Sequence, residues 1–235
     1  MTETRVSKAR KSLQSPRAAA IAGILFAVLY SISLVLIRIS IPADPTGDNA
    51  AWLETNLKAV TLALNLVPFA GIAFLWFIGV IRDRFKELED RLFATVFLGS
   101  GLLFLAMVFA GAALAGGLLS SYAAAQEVLI NSGVFSFGRA VTFQILNIYA
   151  IRMAGVFMIS LGSIWLRTGL MHRGWAIVTY ALALVLLVIT GYSLWVTLVF
   201  PGWVLAVSIY ILYLNLRKPN ELSGKNLQPG GRIDD

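Results

Sequence analysis

The chain has 235 residues, 58% of them hydrophobic and only 13% charged, with a mean hydropathy of +0.80. A soluble domain carries about 25% charged residues, so this composition excludes a soluble enzyme, a nucleic-acid-binding domain and a disordered chain. The net charge of +7 points to membrane topology rather than to nucleic acid, because most Lys and Arg lie in short segments beside apolar runs.

Charged residues are absent from 18–37, 59–81, 92–126 and 174–216, and a membrane span needs roughly 20 apolar residues. The expected fold class is all-α, a polytopic bundle of six transmembrane helices in a lipid bilayer. The spans are placed at about 18–41, 57–80, 92–120, 141–166, 175–193 and 200–216. A basic tail, 1–17, precedes them and a flexible tail, 217–235, follows.

In the first span, the apolar run Ala18 to Ile37 is longer than the roughly 7–15 residues of a signal-peptide core, and no clear A-x-A cleavage site follows it. It is read as an uncleaved helix, with Arg38 near enough to its end to reach the headgroups. Residues 42–56 hold Pro42, Pro45 and Gly47, a breaker cluster that predicts a loop. The second span contains Pro68, which frees one backbone carbonyl that neighbouring helices must satisfy.

Residues 81–91 carry four positive and four negative charges, with Glu87 and Arg91 at helical i,i+4 spacing. In the third span Ala106, Ala110, Ala113 and Gly117 form a stripe of small residues, which predicts close helix packing. Residues 121–140 fit three placements: an extension of the third helix, an interfacial segment or a re-entrant one. The fourth span is followed by the short loop RTGLMHRG, and the 43 uncharged residues 174–216 hold two spans with a turn near 193–201.

Six spans return the chain to the side on which it began. With the N-terminus cytoplasmic, 15 of the 19 basic residues fall in cytoplasmic segments, leaving Arg38, Lys58, Arg139 and Arg152. That distribution predicts a multi-pass membrane protein with both termini on the cytoplasmic side. Three spans in each half would suit an inverted repeat, but 18–120 and 141–216 show no convincing self-similarity.

The catalytic inventory is thin. There is no cysteine, so thiolate chemistry and Cys-based metal sites are excluded. The one histidine, His172, lies in a loop and is read as a solvated residue. Neither a G-x-S-x-G elbow, a Walker loop nor a paired intramembrane carboxylate is present. The expectation is a protein without cofactor or metal, for which a non-enzymatic role is the leading reading and an enzyme stays open.

Arg152 is the unusual residue. Counted from a helix starting at Val141, it lies roughly 16 Å along, near the middle of a core about 30 Å thick. An arginine there costs about 2.5–3.5 kcal/mol or more, so it should face protein or water. Counted at α-helical spacing, Gln144 and Tyr149 share its face, and Asn147 flanks it. Glu127, Asn65 and Thr61 are the candidate partners towards the outer half.

Three readings stay open, the third an interfacial enzyme that would need Glu127, Asn131 and Arg139 to converge in a concave outer pocket. Arg152 could meet a small anionic solute or lipid headgroup in a polar site built with Gln144, Asn147, Tyr149, Glu127 and Asn65. Alternatively it is buried in an Arg–Glu–Asn cluster, and the protein is a non-catalytic accessory or assembly protein. In the second case the helices pack on a membrane partner or on a second copy.

The segment NLVPFAGIAFLWFIGVIRDRFKELEDRLFATVFLGSGLLF (65–104) carries a tryptophan-containing helix ending in IRDR, then an EDR element leading into FATVFLGSGLLF. It resembles a family of uncharacterised bacterial multi-span membrane proteins, chiefly actinobacterial. The resemblance covers under a fifth of the chain. It implies a bacterial inner-membrane protein and carries no activity, substrate or site residue.

Overall fold

A computed structural model describes residues 2–40, 51–85, 91–131, 133–169, 172–188 and 194–225, with side chains described for 17–40, 55–82, 92–130, 133–169, 172–188 and 195–213. The described chain is a helical bundle. Its elements are α1 (Thr2–Ser40), α2 (Ala51–Phe85), α3 (Arg91–Asn131), α4 (Val134–Gln144), a π turn (Ile145–Ala150) and α5 (Ile151–Thr168). These are followed by α6 (Arg173–Val188), a 3₁₀ turn (Leu194–Leu198) and α7 (Val199–Lys225).

Among the described residues, five helical segments are long and apolar enough to cross a membrane: Arg17–Ser40, Thr55–Arg82, Leu92–Ile130, Val134–Thr168 and Trp195–Tyr213. A further apolar helix, Arg173–Val188, is shorter, with 16 residues, about 24 Å of helix. The outward surface is apolar, with Ile21, Phe69, Trp76, Leu92 and Ile177 all exposed, as in a protein whose solvent is lipid.

Helix boundaries follow local chemistry where the sequence supplies it. Gly169 ends α5 at φ 63, a left-handed position that glycine occupies without the Cβ clash. Gly133 (φ 71) makes the turn between α3 and α4 for the same reason. Pro201 lies in the first turn of α7, where its missing N–H costs little. At the start of α6, the His172 carbonyl accepts from Trp175 N–H (2.9 Å) and its Nδ1 accepts from Gly174 N–H (3.1 Å). His172 is therefore a helix cap rather than an idle loop residue.

Neighbouring passes are antiparallel. Ser33 Oγ donates to the Ala63 carbonyl (2.8 Å) across α1 and α2, next to the Leu64 carbonyl that Pro68 leaves without an N–H. A Cβ at Gly101 would meet Ile78 on α2 and Phe157 on α5, and one at Gly162 would meet Thr179 on α6. Arg167 sits over the Phe93 ring at 4.5 Å, and Trp175 lies against Tyr210. These contacts gather Arg17, Arg82, Arg167 and Arg173 at one end of the bundle, the basic end.

The centre is filled with aromatic rings. Phe26, Phe74, Phe77, Phe97, Phe104, Phe157 and Phe200 are each less than 2% exposed. Phe26 and Phe74 have centroids 4.6 Å apart, Phe97 and Phe157 4.6 Å, and Phe104 and Phe200 4.8 Å. They come from α1, α2, α3, α5 and α7, so one packed cluster ties five helices together. Lipid gives no hydrophobic drive for helix association, and close packing of this kind carries the stability. Polar links supplement it: Trp203 Nε1 donates to Thr179 Oγ1 (3.0 Å), and Ser163 and Tyr180 share a hydrogen bond (2.7 Å).

Several segments differ from their expected extents. Helix α1 reaches back to Thr2, through the expected basic tail, and α7 runs through Pro219 and Gly224 to Lys225, where a flexible tail was expected. Helix α2 begins at Ala51, inside the expected loop 42–56. Within 121–140, α3 continues to Asn131, with non-helical angles at Ala125 (φ −156, ψ 69), and after Gly133 the chain turns back into α4, so the segment is shared between two helices. The fourth pass thus starts at Val134, not near 141. Residues 86–90, in the charged connector, and 189–193, at the end of the expected fifth span, lie outside the described residues.

Candidate functional site

Helices α4 and α5 and the π turn between them form one rod, Val134–Thr168, of 35 residues. Its buried side is small or apolar: Ala150, Ile151, Ala154, Phe157, Met158, Leu161 and Ile164. Gly155 lets α6 approach, since a Cβ there would lie 3.1 Å from Leu187 and 3.2 Å from the Ala183 carbonyl.

Arg152 is on the other side of the rod. It is exposed, and among the described residues it has no hydrogen-bond or ion-pair partner. The buried Arg–Glu–Asn cluster is therefore not what the described residues form. Arg152 is 16 residues from Thr168 at the basic end, about 24 Å along the helix. Val188, the last described residue of α6, falls about level with it, because Gly155 packs against Ala183 and Leu187.

The other candidates scatter. Tyr149 is 56% exposed, one turn from Arg152. Gln144 is exposed, and Asn147 is half-buried, its Nδ2 donating to the Phe143 carbonyl (3.2 Å). Glu127 is exposed on the far arm of α3. Gly138 packs on Leu118 and Gly111 on Leu146, and this pairing separates Glu127 from Arg152 by roughly 30 Å along the bundle axis. Asn65 and Thr61 are exposed on α2, towards the far end from the basic residues. Of the six candidates, the fold brings Tyr149 close to Arg152, leaves Asn147 and Gln144 on the adjoining π turn and its edge, and holds Glu127 and Asn65 apart.

The π turn itself was not legible beforehand. Nothing in ILNIYA distinguishes it from α-helical sequence, yet it breaks the counting of faces at 100° per residue. With one extra residue in the turn, Gln144 lies about 20° from Arg152 around the axis, against about 80° for the same eight residues in an unbroken helix, and both are exposed.

The small-residue stripe also differs from expectation. Ala106, Ala110, Ala113 and Gly117 are all exposed, and a Cβ at Gly117 would meet nothing within 4 Å. Among the described residues the stripe lies on the surface of the bundle and not between its helices. Among the described residues no three His, Cys, Asp or Glu side chains gather as a metal-binding group.

No protein-family model, curated protein or solved structure matches the chain.

Proposed function

We propose that this is an integral membrane protein of the bacterial cytoplasmic membrane, with both termini inside, that holds an anionic group at Arg152. The carrying observation is a charged side chain exposed on the bundle, with no partner among the described residues. It sits about 24 Å from the basic end, inside an apolar core about 30 Å thick. A guanidinium at that depth reaches the outer headgroups by extending along the helix, where a lipid phosphate or a free oxyanion can accept from its planar fork.

Tyr149 supplies a hydroxyl one turn away. The aromatic packing at the bundle centre favours binding at the surface over passage through the middle.

The test is retention of anionic lipid by the purified chain. Native mass spectrometry from phosphatidylglycerol-containing micelles should show bound lipid, and Arg152→Gln should reduce it by about tenfold or more, the worth of a charge-assisted hydrogen bond. Arg152→Lys should fall between the two. Protection from thermal unfolding by inorganic phosphate, without lipid retention, would identify a free solute instead. Equal lipid retention and equal phosphate response in wild type and Arg152→Gln would refute the reading.

One observation favours the rival reading of an assembly protein: the exposed stripe Ala106, Ala110, Ala113 and Gly117. Small residues let a helix of a second copy or of another membrane protein approach closely. Ala110→Leu would then disperse an oligomer or partner seen by cross-linking in the native membrane, and leave lipid retention at Arg152 intact.

A further inference from the structure

Arg152 lies two residues beyond the π turn Ile145–Ala150, in a rod that is α-helical on both sides. Such turns are rare single-turn interruptions of α-helices and are frequent at functional sites. A π turn closes its hydrogen bond over five residues instead of four, so it holds one residue more than the α-helix on either side of it.

The rod is held on both sides of the π turn. Gly155 lies against Leu187 and the Ala183 carbonyl, and Phe135 is buried with Tyr122 and Leu129. The rod therefore cannot turn as a whole to absorb the extra residue. The residue can instead pass along it, because moving a π turn by one register breaks and remakes only local hydrogen bonds. Each residue it passes rotates by one helical position, about 100°.

If the turn passes Arg152 towards the C-terminus, Ile151 takes the place Arg152 now holds, and Arg152 takes that of Met153. Ile151 is now 1% exposed, Arg152 is exposed, and Met153 is half-buried against the aromatic core.

We propose that the π turn is a migrating switch, which presents Arg152 outward in one register and withdraws it to the Met153 position in the other. An anion on Arg152 holds the presenting register, since a ligand shifts two states by its differential affinity for them. This last clause rests on the anion reading above, while the switch itself does not.

The absence of cysteine makes the test direct. Ile151→Cys in the otherwise unaltered chain is reacted with N-ethylmaleimide in discs of phosphatidylcholine and in discs of phosphatidylglycerol, with Leu184→Cys, exposed on α6, as the access control. Position 151 should label slowly in phosphatidylcholine and more slowly in phosphatidylglycerol. Deleting Ile148 closes the π turn into continuous α-helix and should cut labelling at 151 by about tenfold in either lipid, with no change at 184.

Labelling at 151 that the deletion leaves unchanged, or that is absent throughout, overturns the switch. Labelling that the deletion abolishes but phosphatidylglycerol does not alter keeps the switch and removes the anion from it. Hydrogen exchange of the unaltered chain covers the case in which the deletion variant fails to fold. Amides of 145–157 should exchange about tenfold faster than those of 158–168, and equal protection overturns the proposal.

Discussion

The aromatic centre and the far-end hairpin of α3 and α4 are built on opposite plans. At the centre, seven phenylalanines from five helices are sealed from the surroundings. In the hairpin, the buried cluster is Tyr122, Leu129 and Phe135, while Val128, Val134 and Phe137 are between 52% and 71% exposed. The first region draws on contacts distant in sequence, the second on one turn at Gly133. Stability is expected to concentrate in the centre, leaving the hairpin and the π turn beside it as the part that moves.

The strongest way to break this contrast is to hollow out the centre. Phe74 touches the rings of Phe26, Phe77, Phe104, Phe157 and Phe200. Phe74→Ala should cost about 3–5 kcal/mol in denaturant unfolding from micelles. Phe137→Ala, at 71% exposure in the hairpin, should stay within about 0.5 kcal/mol. Similar costs at the two sites would end the distinction.

Overpacking sharpens the same contrast. A Cβ at Gly23 would collide with Ser208 Oγ and the Phe77 ring, so Gly23→Val should destabilise by about 1–3 kcal/mol. Gly117→Val, opening into free space, should have almost no effect on the isolated chain. Ser208 Oγ is buried and without a hydrogen-bond partner among the described residues. Ser208→Ala should therefore be neutral or stabilising, and a loss of more than about 1 kcal/mol would show that the hydroxyl has a partner.

The smallest expected effect is at the basic end. His172→Ala removes the side-chain acceptor for Gly174 N–H and should cost about 1 kcal/mol, with His172→Asn restoring most of it. Equal stability of all three forms would return His172 to the role of a solvated loop residue.

Much of the fold is legible in composition. Long charge-free runs bounded by basic residues announce apolar helices, because a charge inside lipid is costly and one at its edge is not. The Pro–Gly cluster at 42–47, read as a loop for a similarly local reason, lies outside the described residues. The candidate site was less legible. Arg152 stands out by being a charge in an apolar run, yet its surroundings depend on which helix packs at Gly155 and how far α6 extends. Glu127 looked like its partner because both lie near the third loop in sequence, and the extension of α3 to Asn131 carries Glu127 away from it.

Transfer from water to lipid is a property of each segment's own side chains, so the existence of the helices and their apolar surfaces could be read from residue order alone. Where α3 ends, which face of the rod carries Arg152, and the π turn that turns that face are set by steric fit between helices. Gly101 against Phe157, Gly111 against Leu146 and Gly138 against Leu118 fix the register of the rod, and no local pattern in an unbroken apolar run encodes those pairings.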